Sequence, residues 1–387
     1  MPASASQSEL SFYIHIPYCV KRCGYCDFNT YTPAELKVES SLTEISRDYI
    51  DLMLGEISMA RTFSTASKVP TIFFGGGTPS LMEPHDLKRV IDAIGTRFEL
   101  TQDCEITLEA NPDTITKERL IGYRDAGINR LSIGMQSAVP HVLQVLDRTH
   151  DPENIAKVVT WAREVGFEEI SIDLIYGSPG ESKEDWLRTL DAALSLDITH
   201  ISAYALIVEQ GTKLAAQVKR GEIVIPDDDE TADKYILADE KFRAAGFNWY
   251  EISNWSKSGS PSRHNIRYWL TENWWGIGPG AHSHIDGRRW WNVKHPTAYR
   301  ERIENEQAPM LDQEVLTSEE IAREEIMLRL RLPRGMRLEQ FNLEQMAILE
   351  NFRSENYFEE EAWSAGEITL TQSGRLVADR IVRELVL

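Results

Sequence analysis

The chain has 387 residues, of which 42% are hydrophobic and 26% charged, a composition typical of a globular protein with one large or two ordinary domains. Its 61 acidic and 41 basic side chains give a formal net charge of −20, and without any Lys/Arg-rich run this charge argues against a nucleic acid partner. No apolar run could span a bilayer, and the start MPASASQSELS lacks the features of a signal peptide, so we expect a flexible tail over residues 1–11 and a cytoplasmic location.

The first 210 residues alternate between short β-branched or aromatic runs and helical patterns. Strands are predicted at 12–17, 71–76, 104–110, 130–136, 169–176 and 200–206. Helices are predicted near 41–62, 84–97, 116–126, 152–165 and 182–196. Thr116 and Ser182 are typical N-caps, and Ser182 has Asp185 at the capping-box spacing.

Strands that alternate with helices indicate parallel pairing through right-handed crossovers. Six such units are too few for a closed eight-fold barrel, so a partial (β/α)6 barrel and a doubly wound sheet both fit. In either fold, function collects at the C-terminal ends of the strands. Each predicted strand ends in groups that can do chemistry. In chain order these are the thiols from Cys19 onward, the glycines of 75–78, the carboxylate of 109–112, the amide of Gln136, the carboxylate of Asp173 and the aromatic group of 204–205.

Beyond residue 210 the alternation stops. A polar joint, KRGEIVIPDDDE, precedes a predicted helix near 229–245, a strand at NWYEIS and a stretch rich in tryptophan and histidine. From about 315, a helix, short helices and a strand that turns through Ser373 and Gly374 into a terminal helix predict a small, winged-helix-like α+β domain. The predicted domains are a core barrel over 12–235, an extension that completes it over 236–312, and a C-terminal domain over 313–387.

Three of the four cysteines, Cys19, Cys23 and Cys26, have the spacing C-x3-C-x2-C. Disulfides are not expected in a cytosolic chain of this size, and a redox CxxC needs only two thiols. Three thiolates in one tight loop suit a [4Fe–4S] cluster with one iron left open, while zinc with His15 as a further ligand stays an alternative. Cys104, in the strand-like run CEITLEA, is predicted to be a buried core residue.

The string CVKRCGYC after a first strand resembles the signature of the radical S-adenosylmethionine (SAM) superfamily, in which SAM binds the open iron and is cleaved to a 5′-deoxyadenosyl radical. The resemblance implies the partial barrel rather than the doubly wound sheet. It implies that the three cysteines ligate the cluster, that Tyr25 lies against the adenine and that GGGTP contacts the SAM amino group. The cofactor-binding candidates are then Tyr13, Tyr25, Gly76, Gly77, Thr78, Glu109 and His282. The positions that surround a second SAM in porphyrinogen-oxidising relatives are Gln136, Arg148, Asp173 and Ala205.

Longer strings narrow the resemblance to the family of oxygen-independent coproporphyrinogen III oxidase and its heme chaperone branch. These strings are FYIHIPYCVKRCGYCDF, FFGGGTPS, SIGMQS, IDLIYGSPGES and HNIRYW. Three features favour the chaperone branch: Phe28 stands where the oxidase pattern has a fourth cysteine, only 18 residues precede Cys19, and HNIRYW resembles an HNxxYW motif of the chaperones. We therefore expect a heme chaperone without oxidase activity. Radical oxidative decarboxylation of coproporphyrinogen III is the alternative, and whether SAM is cleaved stays open.

If HNIRYW is helical, His264 and Tyr268 share one face, and Asn265 and Trp269 share the next. Heme iron is commonly bound by histidine and heme packs on aromatic rings, so these four are heme-binding candidates, with a local hydrogen-bonded core as the alternative. The resemblance implies heme, a heme-accepting protein and an electron donor such as a flavodoxin or ferredoxin as partners. Peripheral membrane association through a partner is compatible with the expected location, and the oligomeric state, monomer or dimer, stays open.

Overall fold

The computed structural model describes residues 9–37 and 42–386, so most of the tail predicted at 1–11 and the start of the helix predicted at 41 lie outside the described residues. Six parallel strands form the centre of the fold, each within a few residues of its predicted position. They are β1 (Ser11–Ile16), β2 (Lys68–Gly76), β3 (Glu99–Ala110), β4 (Arg130–Gln136), β5 (Glu169–Tyr176) and β6 (His200–Ala205).

Helices connect these strands, as parallel pairing requires. They are α1 (Pro33–Leu36), α2 (Leu42–Phe63), α3 (Pro84–Arg97), α4 (Lys117–Ala126), α5 (Pro140–Val145), α6 (Glu153–Glu164) and α7 (Lys183–Leu194). The predicted caps are confirmed: Thr116 accepts a hydrogen bond from the backbone of Arg119, and Ser182 and Asp185 form a capping box. Each helix in the described residues is too short or too polar to cross a bilayer.

After β6 the chain adds strands to both ends of the sheet. The predicted helix near 229–245 and the predicted strand at NWYEIS are confirmed, while the other added strands were not predicted. The added elements are α8 (Lys213–Lys219), α9 (Asp228–Ala244), β7 (Asn248–Glu251), β8 (Asn254–Ser256), α10 (Arg263–Trp269), β9 (Trp274–Ile277), β10 (His282–Ile285), β11 (Arg288–Asn292), α11 (Pro296–Glu304) and β12 (Met310–Val315). Strand β9 pairs in parallel with β1, and β10, β11 and β12 continue from it in antiparallel fashion. On the other side, β8 and then β7 follow β6.

In the described residues the main sheet thus has twelve strands, in the order β12-β11-β10-β9-β1-β2-β3-β4-β5-β6-β8-β7, with β12 and β7 as its two edges. The predicted partial barrel is confirmed, and the doubly wound alternative falls away. One apolar core joins the outer faces of the strands to the helices, with Phe12, Phe74, Leu120 and Trp186 fully buried in it. Cys104 is buried in the same core, as predicted.

The C-terminal residues form a small α+β unit around a second core that includes Leu330, Leu349, Phe352 and Ile381. Its elements are α12 (Ser318–Arg329), β13 (Met336–Arg337), α13 (Leu343–Ser354), α14 (Glu360–Ser364), β14 (Glu367–Ile368), α15 (Gln372–Leu376) and α16 (Ala378–Val386). The turn predicted at Ser373 and Gly374 was wrong. Both residues lie in α15, because the Thr371 side chain caps that helix by accepting from the backbone of Gly374.

Candidate cofactor site at the mouth of the sheet

The three clustered cysteines lie in the loop between β1 and α1, at the C-terminal end of β1. Backbone hydrogen bonds close the base of this loop: Cys19 N donates to Tyr31 O at 3.0 Å, and Tyr31 N donates to Pro17 O at 2.6 Å. A further bond, from Cys26 N to Cys23 O at 3.3 Å, tightens the turn that carries the last two thiols. The loop is therefore closed at its base and holds three sulfur atoms on one short stretch of chain.

Hydrogen-bond donors face these thiols. The Thr78 hydroxyl donates to Cys19 Sγ at 3.6 Å, and Arg148 Nη1 donates to Cys23 Sγ at 3.8 Å. Burial raises the pKa of the Cys19 thiol to about 11 against the Thr78 bond, and the thiols of Cys26 and Cys23 raise it further. The three thiols are thus near one another, with donors placed to stabilise negative sulfur once it binds iron. This donor set fits a [4Fe–4S] cluster.

The zinc alternative required His15 as a further ligand. The His15 ring is engaged elsewhere: Nε2 lies 2.9 Å from Asn29 O, and Nδ1 lies 3.2 Å from the Tyr13 hydroxyl. Among residues 9–37 and 42–386, no three His, Cys, Asp or Glu side chains are grouped as a single metal ion requires. His15 is therefore a neighbour of the cysteine loop rather than a partner of the thiols.

The glycine run after β2 lies directly against the cysteine loop. Gly77 N donates to Ile16 O at 2.7 Å, and a Cβ atom at Gly77 would lie 2.6 Å from Tyr18 O and 3.0 Å from Cys19 Sγ. Gly76 has a φ of +112°, which favours glycine. Side chains at these two positions would push the strand ends apart, so the sequence requires glycine for the close approach of two backbones.

Two carboxyl groups lie near each other on the inner side of the sheet. Glu109 is the next-to-last residue of β3, whereas Asp173, predicted at a strand end, lies in the middle of β5. Glu109 Oε2 accepts a hydrogen bond from Gly76 N at 3.1 Å, yet burial and the nearby Asp173 raise the pKa of Glu109 to about 7. Burial also raises the pKa of Asp173, although the hydroxyl of Ser132 donates to both of its carboxylate oxygens at 2.9 Å. The pair forms a polar floor directly beneath the cysteine and glycine loops.

The remaining mouth residues cluster on the β4 and β5 side. Arg148 bridges Cys23 and Gly134. Its Nη1 donates to Cys23 Sγ, and its Nη2 donates to Gly134 O at 2.9 Å. Gln136 ends β4 with a φ of +62°, and Ala205 ends β6. Tyr25 packs against a small apolar cluster formed mainly by residues of and around α5. The structure therefore brings Cys19, Cys23, Cys26, Tyr13, Tyr25, Gly76, Gly77, Thr78, Glu109, Gln136, Arg148, Asp173 and Ala205 to one mouth.

The HNIRYW residues lie elsewhere, on α10, inside the sheet near the N-terminal ends of the strands. The His264 ring is buried, with Nδ1 2.7 Å from the Thr71 hydroxyl and Nε2 2.8 Å from the Tyr268 hydroxyl. Asn265 donates to the Glu251 carboxylate at 3.1 Å. Thr71 lies five residues before the end of β2, about 16 Å below the glycine run at the usual rise per strand residue.

Helix α10 therefore fills the inside of the sheet near the N-terminal ends of the strands. Its first backbone N–H groups, at Arg263 and His264, donate to the buried carboxylate of Glu105 at 3.1 and 2.9 Å. Tyr268, one turn on, stacks edge to face on Trp274, and the charge of Glu109 adds to the effect of burial in raising the pKa of Tyr268. Both ring nitrogens of His264 are hydrogen-bonded, and Trp269 ends the same helix. The structure gives His264, Asn265, Tyr268 and Trp269 a packing role and does not bring them to the cysteines.

Sequence reasoning missed Asn29, which fastens the cysteine loop to distant chain segments. Its amide donates to Pro279 O and Lys294 O, both at 2.9 Å. Nothing in the sequence near residue 29 signals partners some 250 positions away. His282, the remaining candidate, is the first residue of β10, and its ring stacks on Trp291 of β11. The strands β9, β10 and β11 beside the mouth are called the wall below.

Comparisons with known proteins agree with this arrangement. Residues 13–193 match the family model of the Radical SAM superfamily. The heme chaperone HemW of Mycobacterium tuberculosis is 42% identical over 375 residues, which make up 97% of this chain and 94% of that protein. The heme chaperone HemW of Bacillus subtilis is 37% identical over 332 residues, or 86% of each chain.

Among solved structures, the coproporphyrinogen III oxidase HemN of Escherichia coli, a radical SAM enzyme, superposes with a TM-score of 0.82 at 23% identity. The match covers 99% of this chain and 91% of that one. At this level of identity the likeness shows the fold alone.

Proposed function

The chain belongs to the family of the heme chaperone HemW within the radical SAM superfamily, and on this premise we propose that it binds heme and transfers it to an acceptor protein. The observation that carries the proposal is the match to the Mycobacterium tuberculosis protein, because it takes in nearly the whole of both chains. Phe28 supports it, since this apolar side chain, 61% exposed, stands where the oxidase pattern has a fourth cysteine.

Membership in the superfamily implies a [4Fe–4S] cluster and SAM. We propose that Cys19, Cys23 and Cys26 hold the cluster, which, when bound with SAM, supplies one-electron chemistry. Arg148 and Thr78 would offset the negative charge on the sulfur atoms through the hydrogen bonds they already make.

For SAM, the proposal uses the two halves of the mouth. Gly76, Gly77 and Thr78 offer backbone groups close to the thiols, and Glu109 offers a carboxylate to ribose hydroxyls or to the positive charge of SAM. Tyr13 and Tyr25 flank these groups. On the other half, Gln136, Arg148, Asp173 and Ala205 form the position proposed for a second SAM.

The wider setting is also part of the proposal. We expect a cytoplasmic protein that takes electrons from a flavodoxin- or ferredoxin-like donor and delivers heme to an acceptor, with any membrane association passing through that acceptor. The net charge of −20 makes nucleic acid an unsuitable partner.

The test is anaerobic reconstitution of the full chain with iron, sulfide, SAM and heme, followed by mixing with apomyoglobin as a generic heme acceptor. We expect a Soret band on the protein and movement of heme to the acceptor faster than heme leaves a non-specific carrier such as serum albumin. The Cys23→Ser variant should lose the brown cluster colour, because two thiolates do not hold the cluster. Cys104→Ser is the matched control and should keep it, since Cys104 is buried in the core.

Two results would contradict the proposal. One is a cluster-loaded protein that binds no heme. The other is conversion of coproporphyrinogen III to protoporphyrinogen in the presence of SAM and a reductant, which would establish the oxidase reading instead.

A further inference from the structure

The wall carries a histidine, His282, whose ring nitrogens form no hydrogen bond or ion pair in the described structure. His284, two residues after His282, pairs with Trp274 on β9, and Trp274 pairs with Ser11 on β1, two residues before Tyr13. Residues two apart on a strand point to the same face. Side chains of paired residues point to the same face, so His282 lies on the inner face with Tyr13, two strands away and about 10 Å along the sheet. Its side chain is exposed, unlike that of His284 on the same strand.

A comparison of all nine histidines, each of them within the described residues, singles out His282. Four are buried with both ring nitrogens hydrogen-bonded: His15, His200, His264 and His284. The Nε2 atom of His85 lies 3.4 Å from the Asp86 carboxylate, and that of His141 lies 3.3 Å from the Asp185 carboxylate.

The two remaining histidines, His150 and His295, are excluded as iron ligands for other reasons. Both ring nitrogens of His150 are shielded from solvent. His295 is exposed, but its Nδ1 accepts from the backbone of Thr297, which places the proton on Nε2 and leaves no free lone pair. His282 is then the exposed histidine of the described chain with no hydrogen bond or ion pair on either nitrogen.

The surroundings of His282 suit an anionic, flat aromatic ligand. The ring stacks on Trp291 with centroids 5.8 Å apart, and Trp274 lies on the neighbouring strand β9. Partial burial, and then the positive charges of Lys294 and Arg289, lower the pKa of His282. Arg289 is already paired with Glu314 at 2.7 Å. The exposed Lys294 ammonium forms no ion pair in the described structure, so it is available to a carboxylate.

This wall is fastened to the cysteine loop. The Asn29 amide and the Tyr31 hydroxyl donate to Lys294 O at 2.9 and 3.2 Å, and Asn29 also binds Pro279 O, three residues before His282. The exposed ring of Phe28 immediately precedes Asn29. A shift of the cysteine loop would therefore move the backbone of Lys294, because direct hydrogen bonds join the two.

We propose that His282 is a ligand of heme iron, with an edge of the porphyrin beside Trp291 and with a propionate bound by Lys294. An imidazole with a free nitrogen, an adjacent aromatic ring and an unpaired cation are groups that bind heme. This assignment rests on the proposed heme-binding function. It replaces His264 as the predicted heme ligand, and it replaces the contact with SAM that the resemblance implied for His282.

The experiment compares His282→Ala with His295→Ala in the full chain, each titrated with ferric heme with and without the reconstituted cluster. His295 is the matched control because it is exposed and also borders the cysteine loop. We expect His282→Ala to shift the Soret band, to change the electron paramagnetic resonance signal of the iron and to weaken heme binding at least tenfold. His295→Ala should keep the parent spectrum.

Two further measurements separate ligation from a structural effect. Added imidazole should restore the parent Soret position in His282→Ala. Lys294→Glu should weaken binding several-fold without moving the band, because it removes a propionate contact and leaves the iron ligand in place.

If the parent protein binds no heme, the proposed function falls and this assignment falls with it. If the parent binds heme and His282→Ala keeps the same spectrum and affinity, the assignment alone is overturned. A spectral change in His295→Ala or in folded His264→Ala, with His282→Ala unchanged, would move the ligand to that residue.

Discussion

At the scale of single residues, Glu109 is the group in the mouth whose charge depends on pH near neutrality. Burial and the proximity of Asp173 raise its pKa to about 7, and the hydrogen bond from Gly76 N is too weak to reverse this. The carboxyl group is thus largely neutral at pH 6 and largely ionised at pH 8. A ligand that is positively charged or donates hydroxyl hydrogens prefers the ionised form.

We therefore expect SAM to bind several-fold more tightly at pH 8 than at pH 6, with a limit of about tenfold for each pH unit below the pKa. Glu109→Gln should weaken SAM binding at pH 8 and flatten this pH dependence, because the amide does not ionise. Anaerobic equilibrium dialysis with labelled SAM on cluster-loaded protein measures both effects. Glu168→Gln, at an exposed position, is the control, and an unchanged pH slope in Glu109→Gln would contradict the role of this carboxylate.

Residue types alone identified the mouth but misjudged the histidines. The cysteine spacing, the glycine run and Glu109 at the end of β3 follow from local sequence, because each strand delivers its own last residues to the same edge. Whether a ring nitrogen is free depends on partners far along the chain. The partner of His264 Nδ1 is Thr71, 193 residues away, so its engagement was not visible in the sequence.

At the scale of elements, α10 closes the inside of the sheet below the cofactor mouth. Two of its backbone N–H groups bind the buried Glu105, and its two aromatic–polar side chains, His264 and Tyr268, bind each other and β2. The motif that suggested a heme ligand is thus explained by the packing of one short helix.

His264→Ala should lower the free energy of unfolding by about 2–4 kcal/mol, because it leaves a cavity and removes the buried partner of the Tyr268 hydroxyl. Urea unfolding followed by circular dichroism measures the loss. His141→Ala, at an exposed site on α5, should change stability by less than about 0.5 kcal/mol. Equal stability of His264→Ala and the parent would show that α10 is not held by this ring.

The elements also mark where sequence patterns fail. The six long strands were predicted because each is a β-branched or aromatic run bounded by a helical pattern. Strands β9 and β10 have only four residues each, WWGI and HSHI, and their tryptophan, histidine and glycine residues give no clear alternation. Their place next to β1 is set by pairing, which no local pattern reveals.

At the scale of the whole molecule, the sheet joins two surfaces that the chain separates by more than 200 residues. Because β9 pairs with β1, the inner face continues from the cysteine mouth at Tyr13 to the wall at His282. The division predicted at residue 235 therefore separates strands of one sheet, although it remains a prediction for the functional units. A cofactor at the mouth and a heme on the wall would be neighbours on one surface.

The C-terminal unit is attached to this sheet through a buried ion pair. Arg375 on α15 donates to both carboxylate oxygens of Asp239 on α9, at 2.9 and 2.7 Å, and both side chains are almost fully buried. The guanidinium also stacks on Trp249, and Trp255 Nε1 donates to Asp239 Oδ1 at 2.8 Å. Burial alone would raise the pKa of Asp239, but the bonds from Arg375 hold it below the usual value.

Asp239→Ala should therefore cost about 3–5 kcal/mol, because it leaves a guanidinium buried without its counter-ion. The loss should appear in urea as earlier unfolding of the C-terminal unit, followed by tryptophan fluorescence. Since the pKa of Asp239 is depressed, the stability it provides is present above about pH 4 and is lost as the pH falls through the folded-state pKa. Asp239→Ala should flatten that part of the stability–pH curve.

Glu360→Ala, which breaks the exposed pair with Arg353, is the matched control and should cost less than about 1 kcal/mol. Replacing both buried partners, in Asp239→Leu with Arg375→Met, should recover much of the lost stability, because no charge then remains buried. If heme binding at the wall survives in this double variant while the C-terminal unit stays folded, the pair serves attachment only. If Asp239→Ala unfolds at the same urea concentration as the parent, the C-terminal unit is held by its apolar contacts rather than by this pair.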